Sequence, residues 1–167
     1  MTGMHPLIQE AMKKAAVAWL TAPGAGGGYA VWCLWIDDGL YLVTGDGEQP
    51  APGLTEAGTV DVSVRGDHGG RILTWPASVR RIEPGRPEWD TVAPQLAAKR
   101  LNAPGSTDET VTRWAATCLV YRLAPVADPV EAGPSLSAAS GAAPPRPTPA
   151  ANHTPKPFRL HRVRGAR

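Results

Sequence analysis

Between Tyr29 and Thr44 the chain reads YAVWCLWI, then Asp37-Asp38-Gly39, then LYLVT, and nearly every position outside the turn is apolar. Val31, Cys33 and Trp35 alternate with Trp32, Leu34 and Ile36, so both faces of the first run are apolar. A strand wet on one side would alternate apolar with polar residues. This one predicts burial on both sides, between a barrel interior and a second layer. Asp-Gly between the two runs predicts a β-hairpin, with glycine supplying the positive φ of a tight turn.

The remaining pattern divides into short elements. Leu7, Ile8, Met12, Ala15, Ala16 and Trp19 recur at helical spacing, and Pro6 suits a first helical turn, so His5 to Trp19 reads as a helix. TAPGAGGG, Thr21 to Gly28, reads as a connector. Val60, Val62 and Val64 alternate with Asp61, Ser63 and Arg65 and predict a half-exposed strand over Thr59 to Arg65. Gly66 to Gly70 reads as a turn, and Arg71 to Ile82 as a long strand in which Pro76 predicts a bulge or an edge position. Pro87 to Leu101 reads as a helix that Pro94 should kink or split. Ser106 or Thr107 can cap a second helix with Val111, Trp114 and Ala115 facing inward. Thr117 to Ala124 is the last strand.

From Val126 onward the chain is rich in Pro, Ala and Ser and has no hydrophobic period, which predicts disorder. The expected organisation is one domain over residues 1–125 and a tail over 126–167. Charge divides the same way. The first part carries 11 Lys/Arg against 13 Asp/Glu, and the tail 6 against 2. A mildly acidic domain argues against a nucleic-acid-binding fold, although the basic end, with Arg159, Arg162, Arg164 and Arg167, leaves an acidic partner, a nucleic acid or a membrane surface open. No apolar run of about 18 residues predicts a membrane span. The N-terminus lacks the order of a signal peptide, and Cys33 and Cys118 read as buried thiols, which together point to the cytoplasm.

The order of helix, hairpin, loop, strand, long strand, helix pair and final strand resembles the flavin-binding split β-barrel family related to pyridoxamine 5′-phosphate oxidase. The resemblance covers about Met4 to Pro125 and rests on VWCLWIDDGLYLVTG, VDVSVRG and GRILTWPASVRRIEPG. It implies a mainly β, antiparallel split barrel with flanking helices (α+β) and a homodimer. It implies flavin mononucleotide (FMN), or the deazaflavin F420, bound between subunits, and flavin-dependent oxidation or reduction of a small-molecule substrate. The ring would lie near Leu42, Val43 and Thr44, with Gly45 beyond them, Gln49 at its edge, Arg71 toward the phosphate and Trp75 as a wall.

One departure stands out. The place after the second strand where relatives carry phosphate-binding cations reads GDGEQPAPG, with Asp46 and Glu48. A phosphate beside two carboxylates is unfavourable unless other cations outweigh them. Arg65, Arg71, Arg80 and Arg81 remain as candidates, together with the amides of Gly45 and Gly47. The alternative reading is a dimeric barrel that holds F420 or haem, or no cofactor, without catalysis. The spacing of His5, His68, His153 and His161 offers no metal site. Gly24 to Gly28 precedes a strand rather than joining strand to helix, so it is no phosphate loop.

Overall fold

A computed structural model describes residues 5–145 and 148. In chain order the elements are α1 (Pro6–Lys14), β1 (Val17–Thr21), β2 (Tyr29–Trp32), β3 (Leu34–Ile36), β4 (Gly39–Gly45), β5 (Thr59–Arg65) and β6 (Arg71–Ile82). They continue with α2 (Pro87–Lys99), α3 (Thr107–Thr117), β7 (Cys118–Pro125) and β8 (Glu131–Ala132), followed by a short 3-10 turn. Seven strands pair in the antiparallel order β2-β1-β5-β6-β7-β4-β3, and β8 adds to β6. The two ends of this ladder, β2 and β3, are halves of one bent segment. Only Cys33 separates them, and its N–H bonds the Ala16 carbonyl at 3.0 Å. The sheet is thereby nearly closed into a barrel.

The doubly apolar hairpin follows from that closure. Along β4, Leu40 and Leu42 point into the barrel with Val31, Val62, Trp75 and Leu123. Tyr41 and Val43 point outward into a second cluster with Trp89, Val92, Leu96 and Trp114 from α2 and α3. Residues two apart share a face of a strand, so the two clusters follow directly from the alternation. Each fully buried large apolar side chain contributes roughly 1.5–3 kcal/mol. At the hairpin tip, positive φ falls on Asp37 (43°) and Asp38 (58°), the two central residues of a primed turn. Gly39 instead pairs with Ile36. It lacks a Cβ because Arg122 Nε would lie 2.7 Å from one.

The N-terminal helix is shorter than its periodicity suggests. It ends at Lys14, and Val17–Thr21 is a strand that pairs with both β2 and β5. Ala18 and Leu20 enter the core while Trp19 stays half-exposed, a period of two that pairing imposes on a helix-favouring stretch. His5 caps α1, its Nδ1 accepting from the Leu7 N–H at 3.3 Å. Ile8 and Met12, one turn apart, are fully buried in the barrel cluster.

Pro76 breaks neither β6 nor its pairing with β5. It lies between Leu73–Thr74, which pair with β8, and Ala77 onward, which pairs with β7, so the ladder on that side is already interrupted there. The irregularity falls at Val64/Arg65 instead. Pro94 does not split α2. Ser106 and Glu109 form a reciprocal capping box that fixes the start of α3.

The segment after Pro125 departs from the expected disorder within the described residues. Val130 N–H bonds Thr74 O at 2.9 Å, Glu131 and Ala132 pair with β6, and Gly28 bridges Ala142. Backbone hydrogen bonding supplies the order that the apolar pattern lacks. The basic end at 159–167 lies outside the described residues. No helix of the described residues is long and apolar enough to cross a membrane.

Candidate functional site

The loop leaving β4 folds back under the two helices that cover the barrel. Gly45 makes this approach possible: at φ 132° its absent Cβ would stand 2.8 Å from Cys118 Cα. Asp46 O then accepts from Arg113 Nη1 at 2.9 Å. Glu48 reaches beneath α3 until only 4% of its side chain is exposed.

Three donors surround that carboxylate. Arg113 Nη2 and Trp114 Nε1 each donate to Oε1 at 2.8 Å, and Arg100 Nε donates to Oε2 at 3.0 Å. Burial alone would raise the Glu48 pKa, but hydrogen bonds from Arg113, Trp114 and Arg100, and the Arg100 charge, outweigh it and hold the group ionised below the usual carboxylate range. The same contact raises the pKa of Arg113. Arg100 also lies over the Trp32 ring at 5.8 Å, a cation–π distance. The Gln49 side-chain carbonyl accepts from the Trp32 N–H. The loop leaving β4 thus has a mouth where Trp32, Gln49 and Arg100 meet, with Glu48 held by Arg100 beneath them.

A second charged group lies at the other end of the helix layer. Tyr41 OH donates to Glu88 Oε1 at 3.0 Å, and Arg80 Nη2 donates to the same oxygen at 2.8 Å. Burial, and then this bond to Glu88, raises the Tyr41 pKa.

The residues singled out from sequence do not converge. Thr44 is half-exposed, and Gly45 and Gln49 are exposed at the mouth. Val43 is 4% exposed beneath the helices, so a ring cannot lie on it. Trp75 has no exposed surface and packs edge-on against Trp35 at 6.1 Å inside the barrel, so it walls no cleft. Arg71 belongs to a different place: its Nη1 donates to Glu131 Oε2 at 2.6 Å and its Nη2 to Ser137 O at 2.9 Å. Arg65 bonds the Gly69 and Ser140 carbonyls, Arg80 pairs with Glu88, and Arg81 pairs with Glu83.

Arg100 and Arg113 are the cations that the sequence reading missed at this loop. Each is an ordinary basic residue at a helix end or face, and only the packing of α2 against α3 brings them to Glu48. Both cysteines are free and buried, and burial pushes the Cys33 thiol up to about 12. Among the described residues no group of three or more His, Cys, Asp or Glu could hold a metal ion.

Neither a protein-family model nor a curated protein matches the sequence. Solved structures do resemble it. The haem storage protein HutZ from Vibrio cholerae aligns at TM-score 0.56 and 17% identity, over 74% of this chain and 90% of HutZ. A conserved hypothetical protein from Mycobacterium tuberculosis aligns at 0.53 and 18%, over 75% and 82%. A Listeria innocua protein classed with the pyridoxamine 5′-phosphate oxidases aligns at 0.50 and 14%, over 74% and 95%. At these identities the likeness speaks to architecture. The chain has the split β-barrel fold of these structures.

Proposed function

We propose that this split barrel binds a planar cofactor of the flavin class by its ring, at the mouth beside Trp32, and does not clamp a terminal phosphate. The observation behind this is Glu48. The two arginines nearest the loop after β4 are already turned to a carboxylate of the chain itself, held by three donors. A phosphate dianion placed there would meet that carboxylate at close range in a partly dry site, where repulsion is strong. FMN anchored through its phosphate therefore does not fit these residues.

Ring recognition does fit. Trp32 is half-exposed beneath Arg100, and the polar side chain of Gln49 stands beside it. A flat aromatic face with a few polar groups at its rim is the usual lining of a cofactor cleft. A bound flavin would supply the redox chemistry; Trp32 and Gln49 would position and shield the ring. Such a site serves either the oxidation or reduction of a small molecule or the carriage of the cofactor. The half-exposed apolar strip of Trp32, Leu34 and Ile36 suits a two-fold homodimer contact, which sedimentation would detect.

Fluorescence titration of the full chain with riboflavin and FMN tests the reading, with F420 and haem as further arms. Equal affinity for riboflavin and FMN, lost in Trp32→Ala, is expected. FMN binding much tighter than riboflavin would overturn the ring-only reading. Absence of flavin binding would leave a haem-binding or cofactor-free scaffold.

A further inference from the structure

The outer face of β1, β5 and β6 carries a cavity of about 520 Å³, within the size range of small-molecule pockets. Strand alternation builds its floor: Val60, Val62 and Val64 face the core, so Asp61, Ser63 and Arg65 face outward. Thr21 and Trp19 from β1 pair opposite Asp61 and Ser63. Thr74 and Arg71 come from β6 and Glu131 from β8.

Two backbone segments form the walls. The glycine-rich loop Ala25–Gly27 lines one side, and Ser140–Gly141 lines the other. They are joined where Gly28 N–H bonds Gly141 O at 2.7 Å and Ala143 N–H bonds Gly28 O at 3.0 Å. Gly27 permits this approach, since a Cβ there would stand 2.6 Å from the Ala143 nitrogen. Beside it, a Cβ on Gly26 would meet no atom within 4 Å, so the loop closes on the C-terminal segment without filling the cavity. The glycine run that fails as a phosphate loop is therefore a wall of this site.

Most polar groups here are satisfied. Arg71 holds Glu131 and Ser137 O, and the Ser63 and Thr74 hydroxyls bond each other at 2.8 Å. Arg65 lies over Trp19 at 4.7 Å, and its terminal nitrogens bond Gly69 O and Ser140 O. Two groups are not. Arg65 Nε is buried with no acceptor among the described residues. Asp61 is exposed at the cavity, where partial desolvation and then the charge of Glu131 raise its pKa. Glu131 already has its cation in Arg71, but the Arg65 guanidinium lines the cavity with no carboxylate partner among the described residues, and Asp61 lines it with no cation partner among them.

We propose that this cavity binds a small zwitterion of the amino-acid type, its carboxylate accepting from Arg65 and its ammonium donating to Asp61. A simple anion would answer Arg65 but meet the field of Asp61 and Glu131. A simple cation would answer Asp61 and leave the Arg65 guanidinium without a counter-charge. One molecule carrying both charges meets both needs, and the Ser63, Thr74 and Thr21 hydroxyls provide neutral partners between them.

The test is calorimetric titration of the full chain with glycine, β-alanine, γ-aminobutyrate and L-lysine, a series of increasing charge separation. Acetate and methylammonium serve as single-charge controls. At least one zwitterion should bind, with acetate and methylammonium each much weaker. Asp61→Asn removes a repelling charge from an exposed position, so it should keep or raise Tm while weakening zwitterion binding roughly tenfold or more. Arg65→Gln, which removes the positive charge from the lining, should weaken it comparably. No binding by any member of the series would overturn the proposal, as would acetate or methylammonium binding as tightly, or unchanged affinity in Asp61→Asn.

Discussion

Glu48 and Arg113 meet at 2.8 Å beneath α3, the carboxylate almost fully enclosed and the guanidinium 29% exposed. Removing the carboxylate leaves Arg113 and Arg100 facing each other without a counter-charge. Loss of one member of a buried pair costs about 3–5 kcal/mol. Because both arginines keep some water contact, Glu48→Ala should cost about 2–3 kcal/mol, below that range. Urea unfolding measures it, and a loss below about 0.5 kcal/mol would mean that the cluster contributes nothing net.

The same group sets an acid limb. Its folded pKa is depressed, so its contribution is fully present above the unfolded glutamate value of about 4.3 and is lost as pH falls through the lower folded value. Stability curves for the native chain and Glu48→Gln should therefore converge in acid and separate toward neutrality. Parallel curves from acid to neutral pH would contradict this.

Gly45→Ala tests the close approach of β4 to β7. Its φ of 132° is disfavoured for any side chain, and the new methyl would press on Cys118 Cα, which is backbone and cannot swing aside. A cost of about 1–3 kcal/mol is expected, read from the thermal or urea midpoint.

Much of the fold was legible because burial writes directly into alternation. β5 and β6 match their apolar patterns end to end, and the two-sided β4 announced its two layers. β1 was not legible: Ala15 to Leu20 satisfies a helical period locally, and only pairing with β2 and β5 decides otherwise. The candidate site was legible only in part. Thr44, Gly45 and Gln49 adjoin the loop in sequence, so local spacing groups them. Arg100 and Arg113 reach it through helix packing, which leaves no mark in local spacing. Trp75 misled because a tryptophan amid alternating residues reads equally as wall or core.

Ser106→Ala should lower stability by about 0.5–2 kcal/mol by breaking the capping box, since the Glu109 N–H loses its acceptor. Because α3 carries Arg113 and Trp114, this variant should also loosen the grip on Glu48. Hydrogen exchange at the Trp114 indole would report that loosening.

Cys33 should resist thiol reagents in the native protein. With its pKa near 12 it holds almost no thiolate at neutral pH, and the surrounding core excludes the reagent. Mass spectrometry after timed labelling should find Cys33 modified only when urea opens the barrel. Rapid native labelling would show that the barrel breathes at the β2–β3 bend.

The pairing of β4 with β7 carries a consequence for how the protein is made. During synthesis β4 emerges early, apolar on both sides, while its partner strand and both covering helices are still to come. Until β7 arrives, Leu40, Leu42, Tyr41 and Val43 have neither interior nor roof, and the late, distant contact makes folding slow and the nascent hairpin prone to self-association. The hairpin that holds the finished barrel together is thus the segment most in need of protection at birth.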